Sequence, residues 1–350
     1  MSSPPANFRL TTWPGPLPPE PSLVTVVIVS YNSGPILGRC LRALAAQSEG
    51  RFRVVVLDNA SSDGWAERLR LPDARFALVR SRINLGFAAG VNLGAALRPS
   101  PWVAALNPDA LPLTNWLAEL LAVARDNPQA AAVGSLQLFL DDPEIMDGAG
   151  DCYHPSGTAW RGGHGQRLGP LPQVAEVFAP CAAAALYDGA AFRRAGGMYE
   201  RLFCYMEDVD LGFRLRLSGR ACLQANRAMV LHHGDISGAG ASGLARRLGF
   251  RNRLWVLVRD MPAPLLCLAA PLWLAAQAAL LAQAVSQGQG AHAWRGLVEG
   301  VRGLGAVWDD RRRVQATRRV SLARLMRAMT WSPLAALRRG ACSKARSPRA

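Results

Sequence analysis

Residues 24–30, Val-Thr-Val-Val-Ile-Val-Ser, form an uninterrupted β-branched run that stops at Tyr31-Asn32-Ser33-Gly34-Pro35. A half-exposed strand would alternate apolar and polar positions. A run without that alternation reads as a strand buried on both faces, hence a parallel sheet covered by helices on either side. The first half of the chain repeats the theme. Pro35 fits a helix start, and residues 36–47 carry a helical apolar spacing in Ile36, Leu37, Cys40, Leu41 and Leu44. Strands are predicted over 52–57, 77–80, 102–106 and 131–138, and helices over 65–71, 84–97 and 114–125. Strands alternating with helices imply an α/β domain with a largely parallel sheet. Ligands of such sheets bind beyond the carboxyl ends of the strands. The polar clusters Tyr31-Asn32-Ser33, Asp58-Asn59 and Asn107-Pro108-Asp109 all fall at those ends.

The second half carries an acidic cluster, Glu207-Asp208-Val209-Asp210-Leu211, set among Phe203, Tyr205 and Phe213. Adjacent carboxylates in apolar surroundings lose part of their hydration, which raises the pKa and yields a proton acceptor usable near neutral pH. A helix over 205–217 would carry the cluster near its start, where the macrodipole also favours acids. His232-His233 ends another apolar segment. The Gly-rich stretch 147–169 reads as a loop or hairpin over the site, and Cys181 with the alanines after it reads as core packing.

Charge divides the chain. Residues 1–245 hold 21 Lys+Arg and 21 Asp+Glu, whereas residues 246–350 hold 19 and 4 and so carry the whole net charge of +15. Such a region seeks phosphate, on nucleic acid or on anionic lipid. Its arginines flank long apolar segments, with neither a helix-turn-helix pattern nor aromatics spaced along a polar face, which speaks against nucleic acid, kept as a remote alternative, and favours the inner membrane leaflet. Residues 265–285 contain no charge, a length able to span a bilayer, although Pro271, Gln277 and Gln283 interrupt it. Residues 294–308 are amphipathic and precede Arg311-Arg312-Arg313. A single span would put the basic tail outside, against the positive-inside tendency, so a monotopic or hairpin arrangement is expected. Trp255, Trp273, Trp294 and Trp308 fit either an interfacial belt or packing anchors. The first 22 residues read as a disordered, Pro-rich tail without a secretory signal. Seven scattered cysteines without zinc or redox spacing suit a reducing compartment. The expected division is therefore a tail (1–22), an α/β domain (23–245) and a membrane-association region (246–350).

Six segments, in order, resemble the inverting family-two glycosyltransferases of the GT-A fold, and among them the bacterial rhamnosyltransferase-like branch that builds cell-surface polysaccharides. They are Val26-Val27-Ile28-Val29-Ser30-Tyr31-Asn32-Ser33, Val56-Leu57-Asp58-Asn59-Ala60-Ser61-Ser62-Asp63-Gly64, Asn84-Leu85-Gly86-Phe87-Ala88-Ala89-Gly90-Val91-Asn92, Leu106-Asn107-Pro108-Asp109, Glu207-Asp208-Val209-Asp210-Leu211 and His232-His233. The resemblance implies a metal-dependent glycosyltransferase at the cytoplasmic face of the cell membrane. Its donor would be a nucleotide sugar, dTDP-rhamnose or a UDP-sugar, and its acceptor a glycan or a polyprenyl-diphosphate-linked glycan. Ser30, Tyr31 and Asn32 would line the nucleotide pocket, and Asp58 would hydrogen-bond the pyrimidine. The loop from Arg80 through Asn84 and Gly86 to Asn92, together with Asn107, would complete that pocket. Asp109 and one of His232 or His233, with His232 favoured, would hold Mg2+ or Mn2+. Asp208 would be the base, with Glu207 beside it.

Overall fold

The computed structural model describes residues 8–10, 22–234, 243–341 and 344–345. The first half runs β1 (Phe8–Leu10), β2 (Val24–Ser30), α1 (Ile36–Ala45), β3 (Phe52–Asn59), α2 (Trp65–Arg68), β4 (Phe76–Ser81), α3 (Phe87–Leu97), β5 (Trp102–Leu106), β6 (Ala110–Pro112), α4 (Trp116–Asp126) and β7 (Ala130–Phe139). Every residue of β2 and β3 is buried. The two faces of β2 enter different cores. Val24, Val26 and Ile28 join Leu37, Leu41 and Leu44 of α1, while Val27 and Val29 join Ala88 and Val91 of α3. Each fully buried valine contributes about 1.5–3 kcal/mol, which explains why the run needs no polar face. Helix α3 approaches closely enough that a Cβ on Gly94 would stand 2.4 Å from Val27.

Strands β4, β3, β2 and β5 lie side by side and parallel. The chain moves outward from β2 through β3 to β4, then crosses back to place β5 on the other side of β2. That reversal opens a crevice at the carboxyl ends of β2 and β5, the position where such sheets bind ligands.

The second half supplies β8 (Met146–Gly148), β9 (Asp151–Tyr153), β10 (Ala159–Arg161), β11 (Val174–Glu176), β12 (Ala184–Asp188), α5 (Gly189–Arg194), α6 (Glu207–Leu217) and β13 (Ala221–His232). The alanine run after Cys181 is a central strand: β12 runs antiparallel between β5 and β7. Being apolar throughout and poor in β-branched residues, it carries no periodic signal. Strands β9 and β10 form a separate hairpin, as residues 147–169 suggested.

The tail expectation is corrected at one place. Phe8–Leu10 pairs antiparallel with β4, because the outer edge of β4 offers unpaired backbone groups; the rest of residues 1–21 lies outside the described residues. The basic region continues as α7 (Gly243–Asp260), α8 (Ala263–Ser286), α9 (Gly290–Arg302), α10 (Leu304–Ala316), α11 (Leu322–Ala328), α12 (Pro333–Leu337) and β14 (Lys344–Ala345). A boundary at 245/246 falls inside α7. Trp255, Val256 and Leu257 of α7 share one core with Phe213 of α6, Tyr153 of the hairpin and Val307 of α10. Trp255 is thus a packing anchor, whereas Trp294 and Trp308 are exposed. Arg311 also turns inward, donating to the carbonyls of Val258 and Met261 at the end of α7. Helix α8 runs through Pro271 and is the one described helix long and apolar enough to cross a membrane, with only 17% of its most apolar window buried.

Candidate active site

The parallel register brings three predicted residues into one row at the strand ends. Ser30 of β2 lies opposite Asp58 of β3, and Asp58 opposite Arg80 of β4. Asp58 is 3% exposed and pairs with Arg80 Nε at 3.0 Å. Its other oxygen accepts from the Ser61 N–H at 3.0 Å. Arg80 also reaches Glu67 at 2.5 Å. Asn32 takes a positive φ of 50° and bridges to the next loop: its N–H donates to Ser61 Oγ and its Oδ1 accepts from the Ser62 N–H. Tyr31 is exposed beside it. Ser30, Asp58, Ser61, Asp63 and Trp65 line a small cleft.

The loop after β4 is held from behind by Asn59, which sequence reasoning placed only at a strand end. Its side chain donates to Asn84 Oδ1 and accepts from the Leu85 N–H, both at 2.9 Å. Gly86 sits at φ +82°, and a Cβ there would stand 2.5 Å from the Phe203 carbonyl oxygen. The loop therefore rests directly on the segment that leads to the acidic cluster. Asn92 lies in α3. Its amide is spent on both backbone groups of Met198 and on Glu200, so the structure gives it a tethering position between α3 and the Gly196-Gly197 turn.

Across the crevice, β6 pairs with the end of β13, with Ala110 opposite His232. This pairing separates the tandem histidines, because successive side chains on a strand point to opposite faces. His232 is buried, with Nε2 3.3 Å from Asp109 Oδ1 and Nδ1 2.7 Å from Asp147 Oδ2, while His233 is exposed. Asn107 Nδ2 lies 3.4 Å from the same Nε2. Burial alone would lower the His232 pKa; the two carboxylates outweigh it and lift the pKa to about 9. Burial would likewise raise Asp147, but His164, His232 and Arg161 hold it far below the ordinary carboxylate range.

Helix α6 begins at Glu207. Asp208, partly buried, accepts from the Ala182 N–H at 3.1 Å and the Val209 N–H at 2.8 Å. Burial raises its pKa in spite of those bonds. Glu207 is 6% exposed with one oxygen unpartnered, and burial, reinforced by Asp208, pushes it well up. Asp210 has a different fate: wholly buried, it pairs with Arg214 and Arg259. Asp151 and Cys181 approach Asp208 so that one ligand-type atom of each lies within 4.8 Å of the others. Burial, then the charge of Asp208, pushes Asp151 up. Arg161 pairs with Asp147 and acts electrostatically on Asp151 and Asp208, linking the histidine cluster to the acid pair. Asp147, Asp151 and Arg161 are the site residues that sequence reasoning missed. Their only signal was two acids flanking a glycine-rich stretch, Asp147-Gly148-Ala149-Gly150-Asp151, which has no periodicity to place it.

A donor-type crevice at a switch point, faced by a carboxylate–histidine pair and a buried acid pair, is the arrangement of a GT-A glycosyltransferase. The chain belongs to glycosyl transferase family 2, whose profile matches residues 25–183. It is 33% identical to an N-acetylglucosaminyl-diphospho-decaprenol L-rhamnosyltransferase of Mycobacterium tuberculosis, over 60% of this chain and 76% of that one. The fold is also that of the mannosyltransferase PcManGT from Pyrobaculum calidifontis in complex with GDP-Man and Mn2+, at TM-score 0.52 and 20% identity over 93% of this chain and 90% of that one. A third likeness is GalNAc-T7 with UDP, GalNAc and Mn2+, at TM-score 0.56 and 17% identity over 69% of this chain; the match spans 48%, about half, of that longer chain. The protein is a glycosyltransferase.

Proposed function

We propose that this glycosyltransferase moves L-rhamnose from dTDP-L-rhamnose, with inversion, to a polyprenyl-diphosphate-linked glycan at the cytoplasmic face of the cell membrane. The observation that carries this reading is the 33% identity, over 76% of its length, to a relative named for L-rhamnosyl transfer to N-acetylglucosaminyl-diphospho-decaprenol.

In this reading Ser30, Tyr31 and Asn32 line the nucleoside pocket, and Asp58, fixed by Arg80 and the Ser61 N–H, accepts from the pyrimidine N–H. The loop of Asn84 and Gly86 covers the diphosphate. Asp109 and His232 fit Mg2+ or Mn2+. Their oxygen and nitrogen converge at 3.3 Å, and Asp147 occupies the far imidazole nitrogen, the carboxylate behind a ligating histidine that orients such a ligand. An ion held by Asp109 and His232 would supply Lewis-acid stabilisation to the departing diphosphate. Asp208, its proton affinity raised by burial, takes the proton of the attacking hydroxyl, and Glu207 orients that hydroxyl. Attack on the anomeric carbon and departure of dTDP occur in one displacement, which inverts the configuration.

The membrane reading rests on α8, whose Leu268 and Leu274 are 66% and 62% exposed, on the exposed Trp294 and Trp308, and on the basic balance of residues 246–350. Together they suit attachment to an anionic leaflet, where a polyprenyl-linked acceptor resides.

The test is donor turnover by the full chain. A panel of dTDP- and UDP-sugars is offered with Mg2+ or Mn2+ and a polyprenyl-diphosphate-N-acetylglucosamine acceptor. Metal-dependent release of dTDP from dTDP-L-rhamnose is expected, lost in Asp208→Asn and Asp109→Ala. Turnover of a UDP-sugar alone would overturn the rhamnosyl reading.

A further inference from the structure

The segment that delivers the acid pair is a strained piece of backbone. Phe203, Tyr205 and Met206 all have positive φ, at 66°, 69° and 73°. Phe203 combines φ 66° with ψ −64°, and the Cys204 N–H donates to the Leu202 carbonyl at 2.7 Å. This is the rare γ-turn of positive φ, an uncommon and strained conformation. A non-glycine residue in such regions persists only where its surroundings over-determine it.

The surroundings that do so come from α7, in the basic region. Asn252 is fully buried, and its Nδ2 donates to the carbonyls of Leu202, Cys204 and Tyr205 at 3.0, 2.9 and 2.7 Å. Arg251 holds that amide in place, donating from Nε to Asn252 Oδ1 at 2.9 Å, and itself reaches the Leu202 carbonyl at 2.8 Å. Two turns further along α7, Arg259 pairs with Asp210 of α6. The other side of the strained segment meets the donor loop: the Phe203 carbonyl accepts from the Ala88 N–H at 3.1 Å.

We infer that Asn252 is a positioning residue for the transfer reaction: by gathering the Leu202, Cys204 and Tyr205 carbonyls it sets the start of α6, and with it Glu207 and Asp208, against the donor loop. This rests on the reading of Asp208 as the base. The basic region is then part of the catalytic apparatus as well as an attachment to the membrane. The residue acts through backbone and touches no substrate, so its loss affects the rate of the displacement and leaves donor binding in place.

The experiment compares Asn252→Ala with Val256→Ala, a cavity-forming change in the buried face of the same helix, and with Asp208→Asn. Each is assayed with dTDP-L-rhamnose and the polyprenyl-diphosphate-N-acetylglucosamine acceptor, well below its melting temperature. Asn252→Ala is expected to lower kcat by about 10- to 100-fold with donor KM within about twofold, whereas Val256→Ala keeps kcat. Arg251→Met, at a half-buried position, is the second variant should Asn252→Ala fold poorly, with a smaller loss of the same kind. Hydrogen exchange at the Val209 and Asp210 amides reads the segment without substrate and should accelerate in Asn252→Ala but not in Val256→Ala. An inactive Asp208→Asn beside an Asn252→Ala with unchanged kcat and exchange would overturn the inference. An active Asp208→Asn would instead overturn the reading of the base.

Discussion

His232 Nδ1 lies 2.7 Å from Asp147 Oδ2, and the two residues are 85 positions apart in the chain. The imidazole is thereby fixed with Nε2 toward Asp109. This relationship leads to a prediction about metal binding. Asp147→Asn removes the carboxylate behind the proposed ligand His232 and should weaken Mn2+ binding about 10- to 100-fold, measured by Mn2+ titration of the thermal transition. A pH dependence accompanies it. The His232 pKa is raised to about 9, so the stability from its protonated, ion-paired form is full below the ordinary value of 6.5 and lost as pH rises through about 9. A cation must displace that proton, so the Mn2+-induced shift in melting temperature should be larger at pH 9 than at pH 6.

The proposed base, Asp208, has its own pH signature. Burial raises Asp208 above its ordinary value of 3.8, and a base works only when ionised. The acid limb of kcat/KM should therefore lie above the range of an exposed aspartate, with activity falling as pH drops through it. Asp208→Asn should lower kcat by about 100- to 10,000-fold. An acid limb near 3.8 in the parent protein would contradict this placement of the base.

Glu207 should trade stability for function. It is buried with one unpartnered oxygen and its pKa is pushed well above 4.5, by burial first and then by Asp208. A raised folded-state pKa contributes stability below the unfolded value, and that contribution is lost as pH rises through the folded value. Glu207→Gln carries no charge to bury, so it should be more stable than the parent at alkaline pH, by about 1–3 kcal/mol, with little difference at pH 4. Thermal unfolding across pH measures this, and the same variant should lose transfer activity.

The proposed attachment to the membrane is testable separately from folding at α8. Leu268 and Leu272, one helical turn apart, are 66% and 44% exposed, so changing them leaves the packed core intact. The double variant Leu268→Asp, Leu272→Asp should keep its melting temperature. Its binding to vesicles containing phosphatidylglycerol should fall at least about tenfold, given about 1.5–3 kcal/mol for each leucine buried in lipid. Binding of the parent should weaken with added salt. Equal binding of parent and variant would remove α8 from the attachment surface.

Local pattern determined a large share of this protein. The β-branched runs of β2 and β3 declared a sheet covered on both faces, and the polar residues closing them declared where its ligand edge lies. Both follow from what a few consecutive residues must bury, and that information is contained in the sequence. The motif positions Asp58, Asp109 and Asp208 were legible for the same reason, each lying at the end of an apolar segment. Tertiary structure alone decided what those groups face. Asp147 and Arg161 come from an aperiodic stretch, and no short-range rule places them behind His232 and beside Asp208. Asn92 carried the family's spacing, yet the fold spends its amide on Met198 and Glu200. The acids Glu207, Asp208 and Asp210 stand within four residues of one another, and burial with Arg259 at hand separates a salt-bridged Asp210 from an Asp208 whose pKa is raised. Desolvation and charge pairing depend on neighbours that are distant in sequence, so the chemistry of each carboxylate is set only when the chain has folded.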